Sequence, residues 1–244
     1  MKPLLRWMAL LLAAFLGLQL FFVARIGVMA VLDPQSTAFQ RSQAWRLATE
    51  TGTLRWRHQW VDYRQISDHL KRAVIASEDD GFLFHDGVQW DALEKAWDKN
   101  AKAQAQVDAP APARKKSTVK VAKVVGGSTI TQQLAKNLFL SGERTLLRKG
   151  QEFVLTALLE LILTKERILE IYLNSVEWGD GVFGAEAAAQ NYFRKPASRL
   201  SPIEAARLAV MLPRPKYFEK LPNSPYLQSR STAIAARMAG AELP

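Results

Sequence analysis

Apolar and polar positions alternate along this chain in patterns that are overwhelmingly helical. Trp7 to Ala24 is an uncharged apolar run broken only by Gly17 and Gln19. At ~1.5 Å per residue it nearly crosses a ~30 Å hydrocarbon core, which predicts a membrane-spanning helix. Leu70 to Ser77 reads as the end of a buried helix, and 78–87 as a turn-rich segment. Trp90, Leu93 and Trp97 are spaced for one helical face. Ile130, Leu134 and Leu138 repeat every four residues behind Thr129-Ile-Thr-Gln132. That tetrapeptide fits a capping box, with Thr129 as N-cap and Gln132 reaching back from N3. Leu146, Phe153, Leu155, Leu158, Leu159 and Ile162 predict a long, largely buried helix starting near Ser141, and Ile168 to Leu173 continues apolar. Gly179, Gly181 and Gly184 punctuate a turn before an Ala-rich helix, Ala185 to Phe193. Ser201-Pro202-Ile203-Glu204 starts another helix, which Pro213 and Pro215 end. No long period-2 run and no internal repeat is present, so the fold class is mostly α.

The ends of the chain set its organisation. Lys2 and Arg6 precede the apolar run, so the N-terminus is expected in the cytoplasm, with the main domain outside. In a Gram-negative cell that means an inner-membrane protein with a periplasmic domain. A cleaved signal peptide is the alternative, with Val28-Met29-Ala30 as a small-residue site, but the run exceeds a typical ~7–15-residue signal core and Arg25 intervenes. The expected division is an anchor over 1–32, a juxtamembrane connector over 33–69, the main domain over 70–220 and a C-terminal helix or tail over 221–244. Within the main domain, 101–123 is a basic, Ala/Pro-rich insert. Trp45, Trp56 and Trp60 with basic neighbours suit either a membrane interface or core packing.

Composition excludes several classes. With no cysteine, disulfides and thiolate metal sites are ruled out, and His58, His69 and His85 lack metal-ligand spacing. The formal net charge of +10 would suit nucleic acid or an anionic bilayer. No nucleic-acid motif accompanies it, so the membrane surface or a phosphorylated lipid is the better match and no nucleic-acid partner is expected. Ser117-Thr-Val-Lys120 matches S-x-x-K formally. It sits in the insert with no S-D-N or K-T-G behind it, and carries no acyl-serine site.

Three clusters carry candidate chemistry. Glu78 ends an apolar helix, where partial burial would raise its pKa and make it a useful base; a solvated helix end is the plainer alternative. The tract Gly126 to Asn137 offers Ser128, Thr129, Gln132, Gln133, Asn137 and one cation, Lys136, behind two glycines. It suits a polar or anionic ligand, or is simply the outer face of an amphipathic helix. Arg144, Arg148 and Glu152 fall at i, i+4, i+8 with Lys149 beside them. An Arg148–Glu152 surface pair of ~0.3–0.5 kcal/mol would account for two of these and leave Arg144 and Lys136 unexplained.

The motifs Glu78-Asp79-x-x-Phe82-x-x-His85-x-Gly87, Gly127-Ser-Thr-Ile-Thr-Gln-Gln-Leu-x-Lys136-Asn137, Arg148-Lys149-x-x-Glu152, Arg167-Ile-Leu-Glu170-x-Tyr172-Leu-Asn174, and Gly184 leading to Ala188-Ala189 and Tyr192-Phe193 stand in order over roughly 70–220. In these the chain resembles the monofunctional biosynthetic peptidoglycan glycosyltransferases, the family-51 transglycosylases. The resemblance implies an α-helical, lysozyme-like domain with two lobes around a cleft beside the membrane. It implies polymerisation of lipid II into β-1,4-linked glycan with release of undecaprenyl pyrophosphate, by inversion and without transpeptidation. Glu78 matches the family's base, and Lys136, Arg144 and Arg148, with Lys149, its pyrophosphate-binding cations. Glu152 matches its second glutamate, which would hold the arginines, bind a divalent ion or assist proton transfer. Ser128, Thr129, Gln132, Gln133 and Asn137 would contact sugar or phosphate. A Mg²⁺ or Mn²⁺ ion is the expected cofactor. Lipid II, the growing strand and division or elongation proteins are the expected partners. The insert is longer than the family's usual connection there. Two other classes compete: a lysozyme-like hydrolase or lytic transglycosylase, which needs no cationic clamp, and a non-catalytic wall-building scaffold, which would tolerate loss of Glu78.

Overall fold

A computed structural model describes residues 2–52, 55–90, 94, 98, 127–140 and 145–244. Arg144, Leu93, Trp97 and the insert over 101–123 lie outside the described residues.

Helix α1 runs from Lys2–Met29. Among the described residues it holds the one stretch, Pro3–Met29, long and apolar enough to cross a membrane. Most of its side chains are bare, but Phe22, Ile26 and Met29, at i, i+4 and i+7, are buried in the domain core. That packing favours keeping the helix over cleaving it after Ala30, because removal would uncover the face it covers. Helix α2, Ala38–Arg46, follows behind the N-cap Thr37, whose box with Gln40 closes both ways.

A short strand β1, Arg57–His58, joins β2, Glu177–Gly179, and β3, Val182–Phe183, in the order β1-β3-β2. β1 lies parallel to β3, with Arg57 opposite Val182, and β2 is antiparallel to it. Gly181 turns the hairpin at φ +76°, where a Cβ would meet the Arg55 carbonyl oxygen at 1.9 Å. The glycine cluster therefore makes a sheet corner that no period-2 run announces.

Helix α3, Asp68–Glu78, buries Leu70, Ala73, Val74 and Ile75. It packs against α8, Pro202–Met211, and α10, Pro225–Arg237, so the C-terminal segment belongs to the same core. Helix α9, Pro215–Glu219, lies between them in sequence. On the other side, α4, Ile130–Phe139, packs on α5, Leu146–Ile162, and on α6, Lys165–Ser175. Ile130, Leu134 and Leu138 are fully buried, as their four-residue spacing requires. Helix α7, Ala185–Phe193, buries four alanines against its neighbours. The architecture is mostly helical.

One boundary differs from expectation. α5 starts at Leu146 behind the N-cap Thr145, whose Oγ1 accepts from the Arg148 N–H at 3.2 Å, and not near Ser141. The charged stripe on this helix is therefore the cations Arg148 and Lys149 with the carboxylate of Glu152, and Arg144 precedes the cap in sequence. Leu146 is also bare, at 93% exposure; the buried face begins further along, with Leu155 and Leu159.

Candidate active site

The start of α4 is fastened from three directions. Thr129 Oγ1 accepts from the Gln132 N–H, and Gln132 Oε1 accepts from the Thr129 N–H, both at 3.1 Å. The Thr129 hydroxyl donates to the Gly87 carbonyl at 2.6 Å. The buried Asp79 carboxylate accepts from the Ile130 N–H at 2.9 Å through Oδ2 and faces His85 Nε2 at 2.8 Å through Oδ1. His85 Nδ1 accepts from the Gly87 N–H at 3.0 Å, which assigns the ring proton to Nε2. A carboxylate at the first orphan amides of a helix satisfies both a donor and the dipole. Thr129 is thus a buried fastening and does not line the cleft.

Glu78 is the last residue of α3, half-buried beside that fastening. Its Oε2 accepts from Gln133 Nε2 at 3.1 Å, and Gln133 Oε1 accepts from the Tyr172 hydroxyl at 2.9 Å. The fully buried Tyr172 thereby fixes which end of the Gln133 amide faces the carboxylate. Burial pushes the Glu78 carboxyl above its ordinary 4.5, and the Asp79 charge adds to the rise; hydrogen bonds from Gln133 and Ser77 oppose it. A carboxyl poised this way, with one oxygen held, is suited to taking a proton through the other.

Along α5, Glu152 is only 3% exposed. It receives Arg148 Nη1 at 3.1 Å on Oε2 and Lys149 Nζ on Oε1. The pair is therefore no weak surface contact. One buried carboxylate holds two cations side by side. Arg148 Nε and Gln132 Nε2 are buried without a hydrogen-bond partner among the described residues, and both residues line the same cavity. Buried donors without acceptors are costly, and a bound anion or sugar oxygen would satisfy them.

That cavity, about 460 Å³, brings together Ser128, Gln132, Gln133, Lys136 and Asn137 from α4 and its approach with Arg148, Lys149 and Glu152 from α5. Glu78 does not line it and meets it through Gln133. Residues that sequence reasoning did not assign complete the walls: Phe39, Leu140, Tyr172, Val176, Glu177, Leu212 and Pro215. Tyr172 stood in the Glu170-x-Tyr172-Leu-Asn174 pattern, which was its signal. Glu177, whose carboxyl burial pushes up and Lys216 at 3.2 Å pulls down, had none. Both Glu152 oxygens face cations, and among the described residues no group of three acidic or histidine side chains is arranged around a metal. Glu152 thus fits a bridge between cations and does not fit a divalent-ion ligand.

The matched family is described as transglycosylase, over residues 46–239, and the chain belongs to that family. The match begins and ends inside the segments that sequence alone set apart as connector and tail. A biosynthetic peptidoglycan transglycosylase of Burkholderia thailandensis is 54% identical, over 98% of this chain and 88% of that protein. Its namesake in Paraburkholderia xenovorans is 51% identical, over 98% and 94%. A third, from Burkholderia pseudomallei, is 52% identical over 98% and 88%.

Proposed function

We propose that this protein polymerises the glycan strands of peptidoglycan from lipid II at the outer face of the inner membrane, with its N-terminus in the cytoplasm. The observation that carries the reading is Gln133, which lines the same cavity as the cationic wall of Lys136, Arg148 and Lys149 and holds, just behind it, the raised-pKa carboxyl of Glu78. The relatives named biosynthetic peptidoglycan transglycosylase support the same substrate class.

In this reading Glu78 accepts the proton of the acceptor sugar's 4-hydroxyl as that oxygen attacks C1 of the donor. The new C1–O bond forms on the face opposite the leaving group, which inverts the α-linked donor to a β-1,4 linkage. The C1–O bond to phosphate breaks, and its electron pair departs on the lipid pyrophosphate. That anion is a good leaving group and needs positive charge more than a proton. Arg148, with its fork geometry and an Nε that has no partner among the described residues, and Lys149 and Lys136 supply it. Arg144 is proposed to join them. Glu152 holds Arg148 and Lys149 in place, and Ser128, Gln132 and Asn137 contact sugar or phosphate oxygens. A Mg²⁺ or Mn²⁺ ion, when bound, would offset the negative charge of the departing pyrophosphate alongside the Arg148, Lys149 and Lys136 side chains.

Purified full-length protein given lipid II should produce polymer that lysozyme digests, and Glu78→Gln should reduce synthesis by about 10²–10⁴-fold while remaining folded. Polymer at the wild-type rate from Glu78→Gln would remove Glu78 from the chemistry. Digestion of finished glycan without synthesis would point to a hydrolase.

A further inference from the structure

Apart from the Trp7 indole at its start, Gln19 is the one strongly hydrogen-bonding side chain in the apolar run Trp7 to Ala24, and it is paired. Its Nε2 donates to Gln151 Oε1 at 3.3 Å, and Gln151 Nε2 donates back to Gln19 Oε1 at 3.2 Å. The two residues are 132 positions apart in the chain. Three residues beyond Gln19, Phe22 is buried and meets Phe139 edge-on at 5.4 Å, and the Arg25 guanidinium lies 5.1 Å from the same ring. Gln19, Phe22, Ile26 and Met29 thus form one face of α1, applied to the domain.

Depth follows from the helix rise. Arg25 is the first charge after the run, and Gln19 precedes it by six residues, roughly 9 Å along the axis. With Arg25 at the headgroup boundary, the amide pair lies inside the hydrocarbon of the outer leaflet. The bare Leu146 and Leu147 at the start of α5 suit the same apolar surroundings. An unpaired amide there has no water to turn to, so each glutamine needs the other. Apolar packing alone would hold α1 on α5 equally well, but it would permit rotation and sliding. A reciprocal amide pair has one register. Gln151 also sits on α5 beside Lys149 and Glu152, so what fixes Gln151 fixes the height of the cationic wall.

We infer that Gln19 and Gln151 form an intramembrane clasp, a positioning pair that sets the depth and rotation of α5 against the anchor and so the level at which Arg148 and Lys149 meet a lipid-linked pyrophosphate. The inference rests on the polymerase reading above. It predicts a separation of stability from substrate use. In liposomes of mixed neutral and anionic phospholipid, Gln19→Leu and Gln151→Leu each strand one amide and melt earlier than wild type. The double variant strands none and recovers its melting temperature. Its KM for the lipid-linked donor nevertheless stays raised by about tenfold, with kcat within about twofold of wild type, because the register is lost although no amide is left unsatisfied. The chain has no cysteine, so a Gln19→Cys/Gln151→Cys pair can be bridged cleanly by a short bis-maleimide. Bridging should return the donor KM toward wild type. A double leucine variant with wild-type donor KM, or a bridged pair whose KM stays high, overturns the clasp. An inactive wild-type protein would instead sink the polymerase reading.

Discussion

At the Glu78 carboxyl two opposed influences meet. Burial disfavours the charge and the Gln133 N–H favours it, with burial the larger. Tyr172 is itself pushed well above its ordinary value by burial and by Glu78 and Asp79, so its hydroxyl stays protonated and keeps donating to Gln133. If Glu78 works as a base, the acidic limb of kcat/KM lies above pH 4.5. Gln133→Leu removes a group that stabilises the ionised form, so the limb should move to still higher pH, as a pH–rate profile will show. A shift to lower pH would mean that Gln133 does not act on this carboxyl. Stability carries the same information with a definite sign. A carboxyl whose folded-state pKa is raised contributes stability below its unfolded pKa and loses it as pH rises through the folded value. Glu78→Gln should therefore melt above wild type at neutral pH, with the gap closing below pH 4.5 in a series of melting curves.

The start of α4 shows how an element is placed by neighbours distant in sequence. Thr129 and Gln132 are local, three residues apart, and their box is legible because capping depends on i, i+3 chemistry alone. Ala185–Phe193 was legible for a different local reason, its run of alanines behind a bounding glycine. Capping logic failed at α5, because Ser141 and Thr145 are both cap-type residues and only the hydrogen bond from the Arg148 N–H marks Thr145 as the cap. The sheet was illegible because strands of two or three residues have no period to read. The Tyr172–Gln133–Glu78 relay spans 39 and then 55 residues, a juxtaposition that only the packing of α3, α4 and α6 creates. Gly87 belongs to this non-local class. It stands at φ +84°, and a Cβ there would lie 2.6 Å from Thr156 Cγ2 and 2.9 Å from Glu160 Cγ. Gly87→Ala should lose about 2–4 kcal/mol in denaturant unfolding, combining a left-handed backbone with overpacking. It should also lower activity, because the carbonyl that receives Thr129 moves with it. Thr129→Ala, which removes the cap and the donor to the Gly87 carbonyl but leaves the backbone unstrained, should lose about 1–3 kcal/mol.

Across the whole molecule, the anchor and the domain are joined by more than a linker. Arg167, on α6, donates through Nε to the Met29 carbonyl at 2.8 Å and through Nη2 to the Leu32 carbonyl at 3.0 Å. It also pairs with Asp33 at 2.8 Å and with Glu170 at 2.6 Å, and its guanidinium lies 5.5 Å from the Trp60 ring. The last carbonyls of a helix lack intrahelical donors, and a cation there satisfies both hydrogen bonding and dipole. Glu170 in turn accepts from the Tyr63 N–H at 2.7 Å, and Asn174 holds Val61 by both its N–H and its carbonyl. The Arg167-to-Asn174 pattern therefore binds the anchor's end and the segment after it to one helix. Lysine cannot reproduce this, because a single ammonium cannot span two carbonyls and two carboxylates in a plane. Arg167→Ala should cost roughly 3 kcal/mol, since Glu170 loses its counterion and the end of α1 loses its donors. Trypsin should then cut within residues 30–57 faster than in the wild-type protein, while Arg148 and Lys149 stay paired with Glu152 and the cleft keeps its shape. Melting in detergent micelles and timed proteolysis measure both effects. An Arg167→Ala variant that melts and resists cleavage like wild type would mean that Phe22, Ile26 and Met29 hold the anchor by apolar contact alone.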